Sequence, residues 1–231
     1  MEVKNLRYSY PGGQPALDGV NLSLRRGEKL ALVGPNGSGK STLLAHLAGC
    51  FSVPAENGGI ALFGRPAGAE PHRLRAAVGL IFQDPDDQLF MPRVLEDVAF
   101  GLVSRGMDTA EAHERALSAL EMLSAAHLAN RAPHRLSGGE KRMAALAGIL
   151  AMDPEIIVLD EPTSTLDPCA RRRVTEILKS LGKPMIVASH DLEMVMTVCT
   201  RAVIMNAGRP AAEGPLPSIL QDESFLRQNG L

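Results

Sequence analysis

Three groups of residues in this chain have the types and spacing for chemistry on a phosphorylated ligand. Gly34-Pro35-Asn36-Gly37-Ser38-Gly39-Lys40-Ser41 fits the pattern G-x4-G-K-[S/T], and Thr42 continues it. Glycines let the backbone pass close to phosphate oxygens and aim its amides inward. Lys40 then reaches the β and γ phosphates of a nucleoside triphosphate, while the Ser41 hydroxyl ligates magnesium. The second group is Leu136-Ser137-Gly138-Gly139-Glu140. By itself it reads as a capping box, in which Ser137 accepts from the Glu140 amide and the Glu140 carboxylate reaches back to the Ser137 amide. Its two glycines are poor helix formers, yet they occupy the first turn, where bare amides and the positive end of the helix dipole can face an anion. The third group, Asp160-Glu161-Pro162, closes the apolar run Ile156-Ile157-Val158-Leu159. Adjacent carboxylates repel without a cation, so Asp160 suits a magnesium-associated acid and Glu161 a general base or positioner of an attacking water.

The elements that must present these residues are legible in the apolar patterning. Leu30-Ala31-Leu32-Val33 is a short run of buried-strand type, and Thr42 to Leu47 reads as the helix that follows, which is the strand, loop and helix context the first motif requires. Ile156 to Leu159 suits a central parallel strand buried on both faces, delivering Asp160 and Glu161 at its carboxyl end, where open α/β sheets bind ligands. A similar run, Met185 to Ser189, ends at His190, and Ala202-Val203-Ile204-Met205 extends the sheet. Residues 1 to about 90 alternate short strands and turns, among them Tyr10-Pro11-Gly12-Gly13. From about 91 to 150 the pattern is helical: Asp108-Thr109-Ala110-Glu111 offers a second capping box, and Ala112, Ala116, Leu117, Leu120 and Leu123 fall near one face. Glu111, Glu114 and Glu121 read as a solvated face.

In this order the three motifs resemble the ATP-binding cassette family, over nearly the whole chain. The resemblance implies an α/β fold, a P-loop NTPase core of cassette type with an antiparallel β subdomain and a helical subdomain, in one domain spanning 1–231. The core and β subdomain would take 1–90 and 151–213, the helical subdomain 91–150, and a short tail 214–231. It also implies a head-to-tail dimer that closes on two ATP molecules with Mg2+, the partner being a second copy or a related ATPase chain. Ser137, Gly138, Gly139 and Glu140 would then hold the γ-phosphate of the opposite subunit's nucleotide, with Glu140 in place of the commoner glutamine. Gln83, after Val78-Gly79-Leu80-Ile81-Phe82, matches the glutamine that couples the magnesium and water site to a transmembrane partner. Asp167, in Ser164-Thr165-Leu166-Asp167, matches an acid that crosses the dimer interface, although Thr165 departs from the usual small residue. His190 matches the switch histidine that contacts the γ-phosphate and Glu161. Tyr10 would stack on adenine, with Tyr8 the weaker candidate.

A narrower resemblance rests on Phe82-Gln83-Asp84-Pro85-Asp86-Asp87-Gln88-Leu89-Phe90 and Val94-Leu95-Glu96-Asp97-Val98-Ala99-Phe100-Gly101. This stretch is similar to the ATPase subunits of energy-coupling factor importers, those of the cobalt and nickel systems above all. It implies a transmembrane coupling subunit and a substrate-binding membrane subunit as partners, with this chain peripheral on the cytoplasmic face. Cobalt or nickel is favoured over a vitamin, partly on the absence of the carboxyl-terminal extension that several relatives carry. Asp84, Asp86 and Asp87 beside Leu89 and Phe90 suit a basic cytoplasmic helix of the coupling subunit; a solvated acidic loop is the competing reading.

Composition narrows the function classes. The 24 basic and 26 acidic residues give a net charge of -2, so bulk electrostatics offers no argument for nucleic acid or for lying on a membrane. Two tyrosines, six phenylalanines and no tryptophan leave little for stacking single-stranded bases. Three cysteines without metal-ligand spacing are expected as reduced thiols of a cytoplasmic protein. Met1-Glu2-Val3-Lys4 is no apolar signal segment and no run approaches membrane-spanning length, so any channel is expected on another chain. No long coiled coil separates Lys40 from Ser137, against a chromosome-maintenance protein. The single phosphate loop disfavours a two-cassette translation factor, and a nucleotide kinase would leave Ser137 to Glu140, Glu161 and His190 without a role.

Overall fold

In the computed structural model, which describes residues 1–220, the strands form two sheets. β1 (Glu2–Ser9) and β2 (Pro15–Ser23) are antiparallel arms of a hairpin whose turn is closed by the Gly13 amide donating to Tyr10 O at 3.0 Å. β1 also pairs with β4 (Gly59–Leu62), and β4 with β5 (Arg65–Pro66), giving the order β2-β1-β4-β5. A register shift between Val3 and Leu6 puts the two buried residues of β1 three positions apart instead of two, the signature of an extra residue in one strand.

The second sheet has the order β10-β9-β3-β8-β7-β6, from β3 (Lys29–Val33), β6 (Val78–Ile81), β7 (Ile156–Asp160), β8 (Met185–Ala188), β9 (Arg201–Asn206) and β10 (Arg209–Pro215). β3 runs parallel to β8 and β9, β7 runs parallel to β8, and β10 closes one edge antiparallel to β9. Every residue of β7 and β8 is buried, which explains their unbroken apolar runs: a strand covered on both faces has no solvent side to alternate with. β10 carries Pro210 and Pro215, residues that lack an amide to donate and so belong on an edge. Between the strands run α1 (Lys40–Leu47), α2 (Pro71–Ala77) and α7 (Leu192–Val198). Leu43, Leu44 and Leu47 of α1 join Leu6, Leu17, Leu32, Ile60, Val158 and Ile186 in one core.

The chain divides into two compact units: 1–80 with 155–161 and 182 onwards, and 81–154 with 162–181. The second holds α3 (Val94–Ser104), α4 (Thr109–Met122), α5 (Gly138–Ala151) and α6 (Pro168–Ser180). Its interior is rich in alanine, with Ala99, Ala112, Ala116, Ala144, Ala145 and Ala147 all buried, and side chains this small let helix backbones approach closely.

Several expectations change. Residues 162–181 group with the helical unit instead of with the core, because α6 packs on α5. The stretch before residue 90 contains α2, started by Pro71 at its first position. Asp108 caps α4, accepting from the Ala110 and Glu111 amides, but the reciprocal half of that box is absent; the Glu111 carboxylate lies 2.8 Å from Arg115 one turn on. Leu117 is 39% exposed, since one residue past Ala116 rotates it off the buried stripe. In the tail expected from Gly214, Gly214 and Pro215 still belong to β10, while the short helical stretch expected there is α8 (Leu216–Leu220); residues 221–231 of that tail lie outside the described residues.

Candidate functional site

The phosphate loop leaves β3 at Val33 and enters α1 at Lys40, as its pattern required. Gly34 and Gly39 are demanded by the chain itself. A Cβ on Gly34 would sit 2.2 Å from Met205 O, and one on Gly39, at φ 99°, would sit 2.4 Å from Ala16 O. Gly37, at φ 78°, faces open space, so it serves the curl of the loop and not its packing. Buried Ser38 ties the loop to the turn between β9 and β10, its carbonyl accepting from the Gly208 amide at 3.1 Å. Lys40 folds back over the loop, its Nζ donating to Gly34 O at 2.6 Å and Pro35 O at 2.9 Å. Burial lowers its pKa from the ordinary lysine value, and the Glu161 and Asp160 carboxylates act against that shift. α1 begins without any side-chain cap, leaving the amides of its first turn to another acceptor.

β7 brings Asp160 and Glu161 to this same unit, both buried. Glu161 has a left-handed backbone, φ 45°, which costs a residue with a Cβ about 1 kcal/mol or more and is held here by its amide donating to Ala188 O at 2.8 Å. Its carboxylate is oriented from β8's end. The Ser189 hydroxyl donates to Oε2 at 3.1 Å, the His190 amide to Oε1 at 3.2 Å, and His190 Nδ1 lies 2.8 Å from Oε1. A carboxylate only accepts, so Nδ1 carries the imidazole proton. The His190 side chain is 70% exposed, leaving the ring open to a ligand while it anchors Glu161.

Tyr10 is 46% exposed, and its hydroxyl lies 3.3 Å from Thr42 Oγ1. Tyr8 sits beneath it, edge-on at 5.0 Å between centroids, and is itself packed against His46 and Phe51. Tyr10 is therefore the outer and Tyr8 the inner ring of this aromatic group.

The second unit presents the remaining residues. Both halves of the capping box at α5 form: the Glu140 amide donates to Ser137 Oγ at 3.3 Å, and the Ser137 amide to Glu140 Oε2 at 2.8 Å. That amide, more than any other group, holds the Glu140 carboxyl below its ordinary pKa. A Cβ on Gly139 would lie 2.8 Å from the Ala170 Cβ, so the second glycine also lets α5 approach α6. Asp167 caps α6, its Oδ1 accepting from Cys169 and Ala170 amides at 2.8 and 3.0 Å, and the Ala170 amide is the main cause of its lowered pKa. Thr165 stands at φ 63°, a conformation glycine adopts freely and a β-branched residue does not. Gln83 is exposed, but its backbone is fixed: buried Arg142 of α5 donates to Phe82 O and Gln83 O, both at 2.6 Å.

Asp84, Asp86 and Asp87 of the acidic loop after Gln83 are all exposed; Asp84 Oδ1 accepts from the Asp86 amide at 2.9 Å, and Asp86 pairs with Lys141 of α5 at 2.6 Å. Three contributors went unnoticed in the sequence: Ser189, Arg142 and Arg131, whose Nη1 lies 2.7 Å from Glu140 Oε1. Ser189 adjoins His190 and could have been found there; the two arginines carry no local pattern.

Among the described residues of the first unit, the Ser41 hydroxyl and the Asp160 carboxylate are hard oxygens of the kind magnesium takes. Among the described residues no cluster of three His, Cys, Asp or Glu side chains could hold a metal alone, so such a cation would share its ligands with hydroxyl and phosphate oxygens. Among these residues too, no helix is long and apolar enough to cross a membrane.

The family described as ABC transporter matches residues 17–164. The energy-coupling factor transporter ATP-binding protein EcfA of Methanothermobacter thermautotrophicus is 44% identical over 237 residues, covering 100% of this chain and 76% of the relative. CbiO1 from Clostridium perfringens, part of the ABC transporter complex CbiONQ, superposes with a TM-score of 0.84 at 35% identity, covering 98% of this chain and 92% of that one. A dimeric ATP-binding cassette in a post-hydrolysis state, bound to ADP and phosphate, superposes with a TM-score of 0.82 at 29% identity over 93% of this chain and 98% of that one.

Proposed function

Because the chain belongs to the ATP-binding cassette transporter family, whose ATPases couple ATP hydrolysis to transport, we propose that it is the ATPase subunit of an energy-coupling factor importer carrying cobalt or nickel ions. The observation that carries the enzymatic part is the Glu161 carboxylate, buried and held by Ser189 and His190 in the unit that contains Lys40 and Asp160. Relatives named as energy-coupling factor ATPases and the stretch from Phe82 to Gly101 support the importer class; that stretch favours the metal cargo.

Lys40 and the backbone amides between Gly34 and Thr42, where Pro35 contributes none, bind the triphosphate, and Tyr10 stacks on the base. Ser41 and Asp160 would hold Mg2+, which when bound would neutralise charge on the triphosphate, and Gln83 stays a candidate ligand on its sequence pattern alone. Glu161 takes a proton from the attacking water, a task that needs a carboxylate oriented in advance, and the Ser189 and His190 donors supply that orientation. His190 contacts the γ-phosphate from its exposed side. Ser137, Gly138, Gly139 and Glu140 of one copy bind the nucleotide held by a second copy or a related chain, with Asp167 beside the shared interface, so hydrolysis requires head-to-tail closure. The assembly sits at the cytoplasmic face of a membrane, docked on a coupling subunit next to a substrate-binding subunit.

Copurification with untagged membrane subunits, followed by ATP-dependent uptake in vesicles, tests the proposal. Uptake of cobalt or nickel is the expected result. Uptake of a vitamin and neither metal would overturn the cargo; failure to assemble with any membrane subunit would overturn the importer.

A further inference from the structure

Glu140 places a negative charge in the first turn of α5, in the segment proposed to meet the partner's nucleotide. A carboxylate there opposes an arriving triphosphate unless a cation balances it. Arg131 supplies that cation: Nη1 lies 2.7 Å from Glu140 Oε1, and Nη2 donates to Arg135 O at 2.9 Å. The arginine is aimed in advance, because its backbone is pinned on both sides. The Val94 amide donates to Arg131 O at 3.0 Å, and the Arg131 amide donates to Leu128 O at 2.8 Å. The two Glu140 oxygens are thereby divided, Oε1 to the guanidinium and Oε2 to the Ser137 amide at 2.8 Å.

We infer that Arg131 is a positioning residue of the Ser137–Glu140 segment: it neutralises Glu140 and holds that carboxylate on its cap, so that the start of α5 can receive the γ-phosphate bound by a second copy. A glutamine at position 140 would make the same cap with no charge to balance, and the arginine would then be dispensable. This inference rests on the proposed head-to-tail site.

The test uses the full chain with Glu161→Gln as reference, so that hydrolysis does not drain the closed state, and follows the dimer by light scattering as ATP is raised. Arg131→Met keeps the apolar stem and removes the charge. It should raise the ATP concentration for half-maximal dimer by roughly 3- to 10-fold, with nucleotide binding by the monomer unchanged. Higher salt should narrow that gap, since the uncompensated repulsion is screened. Adding Glu140→Gln to Arg131→Met should bring the midpoint back to within about twofold of the reference. A merely structural arginine would show neither the salt effect nor the rescue, and a loss lacking both overturns the inference, as does a normal midpoint for Arg131→Met. Ser137→Arg serves as the control. If it dimerises normally, or if the reference forms no ATP-driven dimer, the head-to-tail reading itself falls and takes this inference with it; if Ser137→Arg blocks dimerisation while Arg131→Met does not disturb it, the inference alone falls.

Discussion

At the scale of single residues, Glu161 combines burial, a left-handed backbone and three donors at its carboxylate. An acid held this firmly is placed for geometry, and Glu161→Gln keeps the shape and an acceptor oxygen while removing the basicity. Turnover should fall by roughly 10² to 10⁴ while ATP binding persists, as phosphate-release assays and nucleotide titration would show; undiminished hydrolysis would falsify the assignment. The glycines of the phosphate loop separate into two kinds. Gly39→Ala forces a Cβ to 2.4 Å from the Ala16 carbonyl and should cost about 2 kcal/mol or more of stability. Gly37→Ala meets nothing within 4 Å and should cost about 1 kcal/mol, the left-handed backbone penalty alone. Urea unfolding of the two variants distinguishes them, and equal losses would refute the distinction.

At the scale of elements, what could be read in advance follows from whether the signal was local. β3, β7 and β8 were legible as apolar runs because each is buried on both faces, and the cap of α5 was legible because its two partners stand three residues apart. The Arg142 clamp on Phe82 and Gln83 spans about 60 positions and has no periodicity to betray it. Lys141 likewise pairs with Asp86 from 55 positions away, a partner that no local pattern announces. α1 hides another such feature, the buried His46, whose Nδ1 is 2.7 Å from Thr42 O and whose ring packs on Tyr8 and Phe51. Desolvation lowers its pKa, outweighing the hydrogen bond to Thr42 that acts the other way. The unfolded chain therefore binds the extra proton more readily, and the stability contributed by the neutral ring is fully present above the ordinary histidine range and lost as pH falls through the folded pKa. The urea midpoint should therefore fall as the pH is lowered from neutrality through and below the ordinary histidine range. His46→Phe should flatten that drop, and an unchanged slope in the variant would assign it to other groups.

At the scale of the whole molecule, the surface that meets a membrane partner has to be exposed and must not already be satisfied within the chain. Asp84 and Asp86 are exposed but each already has a partner within the chain, Asp84 at one oxygen through the Asp86 amide and Asp86 through Lys141. Asp87 and Phe90 meet both conditions better: Asp87 is exposed, and Phe90 is 62% exposed, touching Phe100 edge-on at 4.9 Å between centroids. A large aromatic left in water beside an acid suits a basic helix carrying an apolar anchor, and aromatic residues of this kind dominate the energetics of interfaces. The second unit therefore offers a narrower contact than three equivalent carboxylates would. Phe90→Ser with Asp87→Asn should weaken copurification with the membrane subunits by about tenfold or more. ATP binding by the isolated chain should stay within about twofold of normal, because neither side chain belongs to the phosphate loop or to β7. Asp86→Asn should behave differently, freeing Lys141 on α5 instead of stripping the docking surface, and should weaken assembly less than the pair does. Affinity capture and nucleotide titration of the three variants read all of this; undiminished assembly of the Phe90 and Asp87 double variant would place the membrane contact elsewhere on the chain.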